Sequence, residues 1–246
     1  MGGAAATQET PARRLRSLVF AGDDSPESRV ARRAAADLAL RSGAAVHVVT
    51  SFIGGLPWAF IDENSPCDPW FVATELLRTE GEAMRAAGVM LAGCHIGVGS
   101  LSEAVIKVAA ATDADLIVLG CGLAADVARF VARSPSAAVA AGQTSMLAVP
   151  SHLHAWPPDQ LIVGCDRSQD ESGAVDVATA IAHLYPDTSI QLLKVRPCSN
   201  AFLAAARAAE SRAAVVVCMH ASMVGALVDY ARPEVELATA GASESR

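Results

Sequence analysis

Basic charge, aromatic side chains and long apolar runs are all scarce in this chain, and each scarcity removes a class of function. Lys and Arg number 19 against 26 Asp and Glu, giving a formal charge of −7. A duplex nucleic-acid binder needs a basic footprint to displace phosphate counterions. The one basic cluster, Arg13, Arg14 and Arg16, reads as a solvated leader. No apolar run reaches the ~18 residues of a membrane span. Residues 1–11 lack the apolar core of a secretory signal, so a cytoplasmic location is expected. The six cysteines form no C-x-x-C pair, which argues against a zinc site or a disulfide framework. Cys94, Cys121, Cys165 and Cys218 fall in or beside predicted strands and read as reduced core thiols. His152 and His154 have nothing nearby to complete a ligand set, and His47, His95 and His183 read as structural, so no metal site is expected from the protein's own side chains. No Ser-His-Asp set or pair of carboxylates stands out, which points away from catalysis.

What remains is apolar. Hydrophobic residues make up 52% of the 246 and charged ones only 18%, which allows a large core. Alanine is abundant and suits helices packed closely on a sheet. The chain is organised around residues 114–136, ADLIVLGCGLAADVARFVARSPS. Residues 115–119 read as a strand buried on both faces of a parallel sheet. It runs into Gly120-Cys121-Gly122 and then into an alanine-rich helical run over 124–141. Strand, glycine turn and helix in that order can bring backbone N–H groups and a helix N-terminus up to an anion. A plain strand-to-helix turn uses the same residues.

Around this stretch, strands are predicted over 16–22, 45–51, 94–98 and 145–149, and helices over 70–87 and 101–111. A further helix starts in the turn after Asp23, capped by Ser25 with Ser28 or by Asp24 with Glu27, and ends near Arg41 before Gly43. Residues 52–69 form a long irregular insert. The alternation defines a parallel α/β domain over 16–150, and SHLHAWPP at 151–158 marks a boundary. A second pass then begins. LIVGCDRSQDES (161–172) parallels LVFAGDDSPES (18–28), and SIQLLKV (189–195) and AAVVVCM (213–219) match the second and fourth strands. A short last strand is expected at 235–239. This second unit, 159–240, keeps Asp166 and Ser168 but has no glycine turn after 213–219; residues 1–15 and 241–246 are expected to be disordered. The fold class is α/β: two Rossmann-like parallel sheets with helices on both faces, the second shortened.

Ligands of open α/β sheets sit beyond the strand C-terminal ends, where the strand order reverses. If the order is 3-2-1-4-5, that crevice lies between strands one and four. Asp23 would then face the glycine turn, placed to accept a hydrogen bond from an adenine amino group or a ribose.

Residues 18–239 resemble the universal stress protein family of the UspA type, in its tandem two-domain form. The carriers are LVFAGDDSPES, VHVVTSF, AVIKVAAATDADLIVLGCG and SPSAAVAAGQTSMLAVP. The resemblance implies an adenine nucleotide alpha hydrolase-like sheet of order 3-2-1-4-5. It also implies ATP or AMP bound through a loop written G-x-x-G, nine residues, then G-[ST]. The first loop glycine falls on Gly120 and the second on Leu123, with Gly122 as a partial stand-in. The third falls on Arg133, followed by Ser134 at the hydroxyl position and by Ser136. Asp23 matches the acid after the first strand, with Ser25 in the same loop, and Val48 or Val49 falls at the adenine edge. The implied cofactor site is therefore Asp23, Ser25, Val48, Gly120, Gly122, Arg133, Ser134 and Ser136, in the first domain only, with no metal beyond nucleotide-bound magnesium. Arg133 either adds a phosphate contact or blocks the backbone approach that glycine permits. The implied function is a non-enzymatic nucleotide-binding stress or signalling module. The alternatives are a scaffold acting through protein contacts and, third, a weak ATPase. The resemblance also implies pairing through last strands, here 146–149 with 235–237 within one chain, and a homodimer through another face.

Overall fold

From Leu18 onward, strand β1 (Ser17–Ala21) is apolar and buried on both faces, as a central parallel strand must be. In the computed structural model the described residues are 14–23, 25–52, 69–121, 144–150, 153, 156–165, 172–194 and 213–218. The chain continues through α1 (Pro26–Ser42), β2 (Ala45–Phe52), α2 (Pro69–Ala86), β3 (Leu91–Val98), α3 (Leu101–Ala111), β4 (Leu116–Cys121) and β5 (Ser145–Pro150). These five strands are parallel neighbours in the order β3-β2-β1-β4-β5. The reversal therefore falls between β1 and β4, as expected.

Local chemistry sets the boundaries. Ser25, extended at φ −67° and ψ 157°, caps α1 by accepting from the Ser28 N–H, and Pro26 occupies the first turn. Gly43, at φ 73°, closes the helix in the left-handed conformation and donates its N–H to the Ala39 carbonyl. Ser100 caps α3 by accepting from the Glu103 N–H. At the base of β4, the buried Asp115 carboxylate accepts from the Arg16 and Ser17 N–H groups at 2.8 and 3.1 Å, tying the start of β1 to the start of β4.

The second half adds β6 (Gln160–Cys165), α4 (Ser172–Leu184), β7 (Ser189–Lys194) and β8 (Ala213–Cys218). Here β6 is parallel to both β7 and β8, and β8 is antiparallel to β5. All eight strands thus form one sheet, β3-β2-β1-β4-β5-β8-β6-β7. An antiparallel seam is expected at 146–149; it is found at Ser145–Ala148, paired with Val215–Cys218, while residues 235–237 lie outside the described residues. The reason is positional: β8 stands beside β6 as β4 stands beside β1, so its open edge reaches β5.

A continuous core runs under both halves. Leu18, Phe20, Val46, Val48, Leu116, Val118, Leu147 and Val149 meet the alanines of α1 and also Ala174, Val177 and Ile181 of α4. Fully burying each larger side chain contributes about 1.5–3 kcal/mol. Cys94 departs from its expected place in the core: it is exposed, because β3 is the edge strand. The side chains of Cys121, Cys165 and Cys218 lie outside the described residues.

Candidate functional site

The crevice is built from two strand ends. Beyond β1, Gly22 still belongs to the ladder, donating its N–H to the Val49 carbonyl at 2.9 Å. Asp23 follows and is exposed. Its Oδ1 accepts from the Ser25 N–H at 3.1 Å and from the Ser25 hydroxyl at 2.6 Å, while its own N–H donates to Ser28 Oγ at 3.3 Å. This tight turn fixes the carboxylate against the N-terminus of α1, where partial positive charge favours an anion. Oδ2 has no hydrogen-bond partner among the described residues and stays available as an acceptor.

Ser25 was expected to face a cofactor. Its hydroxyl caps the helix, accepting from the Ser28 N–H and donating to Asp23, and so orients that carboxylate. Val48 is fully buried inside the ladder, level with Phe20 on β1 and Cys94 on β3. Continuing that register, the β2 residue level with Asp23 is Ser51, so the edge of the crevice comes from the end of β2 and not from Val48.

Gly120 stands near the end of β4, and continuing the β1–β4 register brings it level with Gly22. The structure therefore places Asp23 and Gly120 on adjacent strand ends, as the 3-2-1-4-5 order requires. A side chain at 120 would overlap the carbonyl group of Glu27 and come within 2.6 Å of the Ser28 nitrogen. The glycine is what lets the first turn of α1 rest on β4. Gly122, Arg133, Ser134 and Ser136 lie outside the described residues.

Below the crevice sits a pair that the sequence does not reveal. Glu80 of α2 is 2% exposed, and both carboxylate oxygens accept from Arg32 of α1 at 3.2 Å. A Cβ at Gly22 would lie 3.2 Å from Glu80 Cγ, so this ion pair packs directly under the end of β1. Residues 32 and 80 belong to different helices, and no local spacing signals their meeting. No group of three His, Cys, Asp or Glu able to hold a metal occurs among the described residues.

A parallel five-strand run of order 3-2-1-4-5 with helices and an oriented acid at its switch point defines an α/β domain of Rossmann-like type. Comparison with protein families narrows it: the universal stress protein family model matches residues 15–150. The chain belongs to that family. A comparison with curated proteins found no match. Among solved structures, a universal stress protein from Archaeoglobus fulgidus DSM 4304 is similar in fold, with a TM-score of 0.53 at 11% identity over 82% of this chain and 95% of that one. Two shorter likenesses are a universal stress protein in complex with cAMP (TM-score 0.43, 21% identity, 56% of this chain and 99% of that one) and a family member from Arabidopsis thaliana with AMP bound (0.41, 13%, 55% and 91%). Among the described residues, no helix is long and apolar enough to cross a membrane.

Proposed function

We propose that this chain is an adenine-nucleotide-binding module, working in the cytoplasm through its bound and free states and not through turnover. The observation that carries this is the Asp23 carboxylate: one oxygen is locked by Ser25 and the other has no partner among the described residues, at the strand-order reversal beside Gly120. A carboxylate so held can accept from a ribose hydroxyl or an exocyclic amine without first paying to become ordered. AMP and ATP are the candidate ligands, and family members with cAMP and AMP bound support the class. Residues 159–240 are read as a shortened second copy that keeps the acid but not the glycine turn, so one nucleotide per chain is expected.

The test is calorimetry with AMP and with ATP on the whole chain and on Asp23→Asn, which keeps the turn's shape but removes the charge. A hydrogen bond to a charged group contributes about 1.5–3 kcal/mol, so the variant should bind at least about tenfold more weakly. Equal affinity in the two proteins would refute the site.

One observation favours a second reading, a scaffold that binds no nucleotide. The space left by Gly120 is already taken by α1, and Leu123 and Arg133 stand where the family loop has glycine. Absence of heat with either nucleotide would select this reading.

A further inference from the structure

Beside β1, toward the β3 edge of the sheet, two imidazoles meet. His47 of β2 and His95 of β3 project from the face covered by α3: Gly97, two residues beyond His95, packs on Ala104 of that helix, whereas Val46 and Val48 enter the core on the other side. His47 Nδ1 and His95 Nε2 stand 3.1 Å apart, with ring centroids 5.3 Å apart and the planes inclined by 38°. Both rings are half-buried. Gly93 pairs with His47 across the strands and shares the face of His95. A Cβ at Gly93 would be 2.6 Å from His95 Nε2 and 3.0 Å from His47 Nδ1, so the glycine makes the room in which the two nitrogens converge.

We propose that His47 and His95 form a two-imidazole chelate for a borderline divalent cation of the Ni(II), Cu(II) and Zn(II) class, with water completing its coordination. The bite is suitable. With metal–nitrogen bonds of about 2.0–2.1 Å, donors 3.1 Å apart subtend an angle near 100° at the metal, between the square-planar and tetrahedral values. The donors sit on adjacent strands of one ladder, so their spacing is set by register and little ordering remains for binding. Neither β2 nor β3 carries a charged residue, and the charges of α3 are Glu103 and Lys107. All-nitrogen donors favour this class over calcium or magnesium.

Binding requires a tautomer change and a rotation of the rings that turns both inner lone pairs off the line between the nitrogens. Without metal, one inner nitrogen carries the proton that it donates to the other. With metal, that proton moves to the outer nitrogen of the same ring, and both inner lone pairs face the cation. Burial holds both imidazoles below their ordinary pKa, and His95 lowers His47 further.

The experiment titrates the untagged full chain with nickel chloride by calorimetry at neutral pH. One saturable equivalent is expected. His47→Gln and His95→Gln should each weaken it roughly hundredfold, because a chelate loses its second, intramolecular ligand. Gly93→Ala retains both imidazoles but crowds both nitrogens, and should weaken binding as well; circular dichroism confirms that each variant folds. The pair His152→Gln/His154→Gln should leave binding unchanged. Nickel binding that persists in His95→Gln, disappears in the His152/His154 variant, or is absent from the parent chain would overturn the proposal. None of these outcomes depends on nucleotide binding at Asp23.

Discussion

A methyl group added at position 120 would meet the backbone of Glu27 and Ser28, not the movable tip of a side chain. Helix α1 would have to lift from β4 to admit it. Gly120→Ala should therefore cost about 1–3 kcal/mol in urea denaturation, the usual penalty for overpacking. This makes Gly120 a poor site for testing ligand binding, since any loss would be mixed with loss of fold. The histidine pair sets a second expectation at this scale. Both imidazoles are held below the ordinary histidine pKa in the folded chain, chiefly by burial. A group with a depressed folded pKa is protonated more readily when unfolded. Its contribution is therefore present above the ordinary histidine value of about 6.5 and is lost as pH falls through the folded pKa. The melting temperature should fall between pH 7 and pH 5, and the fall should be shallower in His47→Gln/His95→Gln.

Among the helices, α1 joins the fold to the site: its N-cap orients Asp23, its first turn rests on Gly120, and Arg32 reaches Glu80 under Gly22. Ser25→Ala should remove about 1 kcal/mol of stability, measured by chemical denaturation, and should weaken nucleotide binding through the freed Asp23 side chain. Much of this level was legible in the sequence. Helix α3 is found over Leu101–Ala111, as Ser100 and the apolar spacing imply, and β1 and β4 announce themselves as unbroken apolar runs. The start of β3 was not legible. Gly93 and an exposed Ala92 and Cys94 give an edge strand no apolar signature, so the strand is expected only from 94 whereas it begins at Leu91. The Arg32–Glu80 pair was hidden because helix-to-helix orientation is a tertiary property. Val48 was placed at the crevice by motif position, and only the register shows that β2 runs past it to Phe52.

Across the whole molecule, the two halves share one sheet and one core, and a polar cluster locks them along α1. Trp156 Nε1 donates to the Tyr185 hydroxyl at 2.9 Å, and that hydroxyl donates to Asp37. Arg41 pairs with Asp37 at 3.1 Å and lies 4.7 Å above the Tyr185 ring. Burial and the Asp37 hydrogen bond hold the phenol protonated well above its ordinary range. Tyr185→Phe removes the shared hydroxyl and strands the Trp156 donor. It should cost about 1–2 kcal/mol, seen as a lower denaturation midpoint with the loss concentrated in hydrogen-exchange protection of α4, β6 and β7. The β5–β8 seam has a wider consequence. An edge strand satisfied by another molecule is subject to mass action and comes apart on dilution. Here the covering strand is tethered to the strand it covers, so the extended sheet holds equally well in a scarce protein and in an abundant one.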